Sequence, residues 1–195
     1  MKKNIFKKSS FVVIIIILIV IISYQLISNF NNYINIKMHD TLINNFLEYD
    51  SVNNLNNFES YIAVIEIPKI NLRQELYDLD SLNNDVNKHI EILHGSDMPN
   101  VMNGNLILAG HSGNSKISYF KNLNELIIGD VTTIYYQNVK YSYKIVNIYK
   151  ADKTGYVEIT RNKNKSVVTL ITCDKKDKNK QLVIIAELDS FTNYW

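Results

Sequence analysis

The sequence predicts a mainly β domain behind a single N-terminal membrane anchor. Three observations carry this expectation. Lys2, Lys3, Lys7 and Lys8 precede an unbroken apolar run from Phe11 to Ile22. From Tyr61 onward the apolar runs are short, rich in Val, Ile, Thr and Tyr, and end at Pro, Gly, Asn or charged residues, which is strand punctuation. Helical periodicity occurs there in only one stretch. Many short strands and one helix predict a closed, barrel-like β domain of roughly 130 residues.

The anchor comes first in the chain. The apolar run continues through Ser23-Tyr24-Gln25-Leu26-Ile27, which brings it to the short end of the ~17–25 residues that span a bilayer. A cleaved signal peptide shares the basic start and apolar core. Ser23 to Asn29 holds no convincing small-residue cleavage pattern, however, and no Cys is placed for a lipid anchor. The lysines before the run, with none after it until Lys37, orient the N-terminus to the cytoplasm and the rest outside the cell. Residues 1–28 are thus expected to be the basic segment and anchor, and 29–60 a juxtamembrane linker. Within the linker Ile43, Phe46 and Leu47 are spaced for a short helix. Residues 61–190 are the folded domain.

Within that domain, Tyr61–Ile67 reads as a strand stopped by Pro68. A second strand is expected over Asn71–Tyr77. Leu82, Val86 and Ile90 recur every fourth residue and predict a helix over Leu79–Ile90. Gly95, Pro99 and Gly104 punctuate a loop before a buried strand, Leu106–Ala109. Tyr119, Phe120, Leu123 and Leu126 suggest a helical turn, closed at Gly129-Asp130. Val131–Tyr136 and Tyr141–Tyr149 form a hairpin around Gln137-Asn138, and Ser166–Cys173 with Gln181–Leu188 a second.

Composition narrows the function. A net charge of +2 gives no electrostatic case for nucleic acid. One cysteine permits no internal disulfide and no paired-cysteine zinc site. No metal or cofactor is expected; Glu158 alone does not make a cation site. The lone Cys173 is therefore prominent. It ends the run Val167-Val168-Thr169-Leu170-Ile171-Thr172 and precedes a charged stretch from Asp174 to Lys180 that must leave the sheet. A single Cys is usually a small buried hydrophobe. At a strand end, in an exported domain where a free thiol is a liability, it is placed to react. Such a nucleophile needs a base. His39 lies in the linker, while His89 and His94 flank the expected helix end. His111 follows Ala109-Gly110 at a strand end and precedes Ser112-Gly113, whose small side chains leave room for a substrate backbone. His111 is the favoured partner.

These residues carry a family resemblance. Thr169-Leu170-Ile171-Thr172-Cys173 matches the TLxTC motif, and Ala109-Gly110-His111 the A-G-H segment, of the sortases, cysteine transpeptidases of Gram-positive cell surfaces. Ile65-Glu66-Ile67-Pro68-Lys69-Ile70 resembles the family's first strand, and the likeness runs from about Tyr61 to Leu188. The resemblance implies an eight-stranded sortase-type β-barrel with one or two short helices. It implies Cys173 as nucleophile on an LPxTG-like sorting signal and His111 as general acid and base. Thr172 and Ala109 are then expected to border the substrate. The partners implied are surface proteins bearing the signal and an amine acceptor, either a peptidoglycan precursor or a pilin lysine.

One departure stands out. Sortases open the strand after the Cys with an arginine, and here that position is Gln181 in Gln181-Leu182-Val183-Ile184. A Gln amide donates hydrogen bonds without charge, and charge-assisted bonds are about twice as strong. Strand alternation should turn Lys180 to the other face, and Lys178 reads as a solvated loop residue, unless a bulge or flexible loop brings one of these lysines round to compensate for the missing arginine. The short segment between Lys150 and Ser166 resembles the class A or class D groups. The alternatives are a sortase-like domain that binds sorting signals without turnover, because of Gln181, and a thiol hydrolase that releases the peptide to water.

Overall fold

The computed structural model describes residues 17–30 and 61–193. Residues 17–30 form a helix, α1, which belongs to a different unit from the β domain. Its apolar side chains, Ile17 to Ile22 among them, are exposed. No helix among the described residues is long and apolar enough to cross a membrane. The first part of the expected span, Phe11 to Ile16, and the linker helix around Ile43–Leu47 lie outside the described residues.

The β domain is one eight-stranded sheet. Its strands are β1 (Ala63–Ile67), β2 (Leu72–Leu76), β3 (Glu91–Ile92), β4 (Asn105–Ala109), β5 (Val131–Tyr136), β6 (Val139–Asp152), β7 (Val167–Cys173) and β8 (Lys180–Asn193). They are ordered β2-β1-β5-β6-β8-β7-β4-β3. The two edges meet through a parallel bridge between Leu76 and Ile90, so the sheet is a nearly closed barrel and its edges are largely protected. Pairing is antiparallel except between β4 and β7, which run parallel, Asn105 beside Val167 through Ala109 beside Ile171.

The sequence accounts for most of this. β5 and β6 turn at Gln137 and Asn138, both with positive φ (48° and 61°), the backbone of a tight two-residue hairpin. β7 is buried along both faces as far as Thr172, as its continuous apolar run requires. On the barrel interior Leu170, Leu182 and Ile184 join the main core with Ile65, Leu108 and Phe120. On the opposite face Val167, Ile171, Val183 and Ile185 form a second cluster, covered by Val157 and Ile159 from the β6–β7 connection.

The helix expected over Leu79–Ile90 is not formed. That stretch is a chain of turns. Asp78, Ser81 and Asp85 accept hydrogen bonds from the backbone N–H groups of Asp80, Asn83 and Asn87, each two residues on. Asn84 bonds both the N–H and the C=O of Ile92. Side chains of this kind compete with the helix for the backbone, and Leu82, a supposed face residue, is 87% exposed. Helical structure between residues 61 and 193 is limited to 3-10 turns at Pro68–Ile70 and Leu123–Glu125, short elements of the kind expected. β6 and β8 run several residues beyond their expected ends, pairing from Val139–Asn193 to Asp152–Lys180.

Candidate active site

Strand register sets the site. Cys173 is the last residue of β7 and pairs with Gln181 on β8, which pairs in turn with Ala151 on β6. Residues paired across strands point to one face, so Cys173, Gln181 and Ala151 form a row on the face of the second cluster. On β4, Ala109 pairs with Ile171. His111 lies as far beyond Ala109 as Cys173 lies beyond Ile171. Parallel neighbours in register therefore deliver the histidine and the thiol to the same end of the sheet.

Several bonds fix the histidine. The buried Thr172 hydroxyl donates to the Gly110 carbonyl at 2.6 Å, and the Gly110 N–H donates to the Ile171 carbonyl. Next, the Phe120 N–H donates to the His111 carbonyl at 3.0 Å. A Cβ at Gly110 would stand 2.9 Å from two ring carbons of Phe120, so glycine is required there for close packing. The ring nitrogen Nε2 lies 3.4 Å from Asn87 Oδ1. Asn87 donates from Nδ2 and from its backbone N–H to Asp85 Oδ1, which leaves its amide oxygen for the ring. That oxygen accepts from the ring whenever Nε2 carries a proton. The Asn87 backbone N–H is the main reason the Asp85 carboxyl is held below its usual range.

Cys173 is free and partly exposed. It borders a cavity of about 210 Å³ whose floor is Phe120, Leu123, Leu126, Ile148 and Leu182 and whose rim includes Ser112, Thr172 and Asp174. An apolar floor with a polar, thiol-bearing rim is the make-up of a ligand cleft. Thr172 thus touches the cavity, while its hydroxyl is committed to Gly110. Ala109 is not among the lining residues.

Two ion pairs flank the thiol. Lys150 holds Asp174, which is the main reason that carboxyl lies below its usual range. Lys180 holds Asp152 at 3.1 Å, and so turns away from the thiol as strand alternation predicts. Lys153, absent from the sequence reading, places Nζ 3.6 Å from Cys173 Sγ. Its signal was the strand period. β6 continues to Asp152 rather than ending at Tyr149, and Lys153 follows Ala151 by two residues, on the face of the thiol. No group of metal-ligating side chains is found among the described residues.

A sortase-domain family model matches residues 65–189. Among solved structures, a lid mutant of sortase A from Corynebacterium diphtheriae is 25% identical over 67% of this chain and 71% of that one, with a TM-score of 0.59. Sortase C1 from Streptococcus agalactiae is 25% identical over 74% and 75%, with a TM-score of 0.61. The Clostridium perfringens sortase D5 transpeptidase, 23% identical over 73% and 86% at a TM-score of 0.57, shares the fold. No curated protein matches the chain.

Proposed function

This chain belongs to the sortase family, whose members are cysteine transpeptidases, and on that premise we propose that it is a membrane-anchored sortase acting outside the cell. The observation that carries the reading is the parallel register of β4 and β7, which brings Cys173 and His111 to one end of the sheet beside an apolar cavity.

With its proton resting on His111, the thiolate sulfur of Cys173 attacks the carbonyl carbon of the scissile amide in an LPxTG-like sorting signal. A C–S bond forms and the carbonyl electron pair moves to oxygen. As this oxyanion collapses, the C–N bond breaks and His111 gives the leaving nitrogen its proton. The resulting thioester is attacked by an acceptor amine, which loses a proton to His111 as the Cys173 thiolate departs. The acceptor is a cell-wall amine or a pilin lysine. The basic N-terminus and the apolar run after it support the anchor, with the N-terminus in the cytoplasm. In this reading Gln181 donates an amide hydrogen bond to the substrate, which its pairing with Cys173 across β7 and β8 supports.

Intact-mass measurement tests the reading. The full-length chain in detergent is incubated with a pool of LPxTG-type peptides. The expected result is a thioester adduct on Cys173 that added amines discharge to a transpeptide. Discharge to water alone makes the protein a thiol hydrolase. Absence of any adduct, while a small alkylating agent still modifies Cys173, turns the reading to a peptide-binding domain without turnover.

A further inference from the structure

We infer that Lys153 is a catalytic residue, the cation that stabilises negative charge at Cys173 and on the oxygen formed next to it. The inference rests on the acyl-transfer reading above. It starts from an imbalance in the site. Attack by a thiolate places a full negative charge first on sulfur and then on the carbonyl oxygen, until the tetrahedral intermediate collapses to the neutral thioester. The side chain paired with Cys173 across the ladder, Gln181, is neutral, so it offers that charge hydrogen bonds but no counter-charge.

Lys153 supplies that charge. Its Nζ lies 3.6 Å from Sγ, a hydrogen-bonding separation for sulfur. Three features direct it there. β6 runs in register to Asp152, and Lys153 follows Ala151 by two residues, on the face shared by Cys173 and Gln181. Its backbone N–H donates to Asn179 O at 2.8 Å, which ties the start of the β6–β7 connection to the β7–β8 loop. Asp152 and Asp174 each already hold another lysine, Lys180 and Lys150. Lys153, Cys173 and Ser112 also border a common open cavity, so substrate can enter beside the ammonium. Lys153 transfers no proton in this role.

Two readouts separate this inference from the acyl-transfer reading. The first needs no peptide. Alkylation of Cys173 by anionic iodoacetate is compared with alkylation by neutral iodoacetamide in the full-length chain. Lys153→Gln is expected to lower the iodoacetate-to-iodoacetamide rate ratio several-fold. Lys163→Gln, the same charge change near the opposite end of β7, is expected to leave it unchanged. The second readout is peptide acylation. Lys153→Gln should slow it on the order of tenfold to a hundredfold, below the full cost of losing an oxyanion donor because the ammonium is solvated. In that background Gln181→Arg should restore part of the loss, whereas a merely misfolded variant would not be rescued. An unchanged alkylation ratio, or an unchanged acylation rate in a protein that does acylate, overturns the inference. Failure of every peptide to acylate the wild type, with the ratio still dependent on Lys153, leaves the charge contact standing and overturns the transpeptidase reading and the catalytic role with it.

Discussion

The thiol side and the histidine side of this site are built by different means. Cys173, Gln181 and Ala151 are rungs of a continuous ladder through β7, β8 and β6. Lys153 extends the same face past the end of β6. Backbone pairing alone decides where these side chains point. His111 lies past the end of β4, held by the Thr172 hydroxyl behind it, by Phe120 after it and by Asn87 across from it. Its position depends on side chains bonding to loops. Substitutions on the thiol side should therefore change chemistry and leave stability alone. Those on the histidine side should change both together.

The largest effects test the two sides at their reacting atoms. Cys173→Ala is expected to abolish acyl transfer with an unchanged unfolding midpoint, since the residue is a partly exposed strand end. Any remaining covalent adduct would remove Cys173 as nucleophile. His111→Ala should slow acylation by about 10²- to 10⁴-fold, the usual worth of a positioned acid–base group. A rate equal to wild type would place the proton transfers elsewhere.

Gly110→Ala probes the support of His111. The new methyl would meet the fully buried Phe120 ring at 2.9 Å. Overpacking of this kind costs about 1–3 kcal/mol, and the displaced backbone carries His111 with it. Chemical denaturation should show the loss and acylation assays a parallel fall. Stability lost without activity would show that the ring moves and the histidine does not. Thr172→Val addresses the same support more gently. It leaves the Gly110 carbonyl without its hydroxyl donor in a buried position, at a cost of about 1–3 kcal/mol. Thr172→Ser should recover most of it in the same denaturation experiment.

The difference between the two sides also explains what could be read in advance. β7 was legible because a run of β-branched residues ends abruptly at a charged loop, and a period of two then assigns faces. The pairing of Cys173 with Gln181 follows from a hairpin that is itself local. Lys153 escaped notice because Lys150, Ala151 and Asp152 do not look like strand, and β6 keeps its pairing there only through contact with β8. The segment after Tyr77 misled for the opposite reason. Leu82, Val86 and Ile90 imitate a helical face, while Asp78, Ser81, Asn84 and Asp85 take the backbone hydrogen bonds a helix would need. Asn87 could not be connected to His111 without the fold, since nothing local links them.

Asn87→Ala sharpens the comparison at smaller scale. It removes the acceptor beside His111 Nε2 and the amide that ties the ring to Asp85. Acylation should fall several-fold with a change in its pH profile, and Asn87→Asp should retain the acceptor. Asp85 adds a pH dependence. Its carboxyl is held below the usual range by Asn87, so its contribution is complete above the ordinary carboxylate value and disappears as pH falls through the lowered one. Amide exchange at Asn87 should therefore speed up as pH drops below about 4 relative to the intrinsic rate. Equal protection on both sides of that range would remove the carboxylate from the turn.

The smallest effect is the most discriminating for the loop itself. If residues 79–90 were the helix their spacing suggests, Leu82 would be a buried face position, and Leu82→Ser would cost about 2 kcal/mol or more. In the turns observed here the side chain is 87% exposed, and the substitution should change stability by no more than about 0.5 kcal/mol. Thermal and denaturant unfolding of that single variant separate the two architectures, because activity plays no part in the comparison. A large loss would mean that Leu82 is buried against the domain, which would draw Asn87 and its contact with His111 back into question.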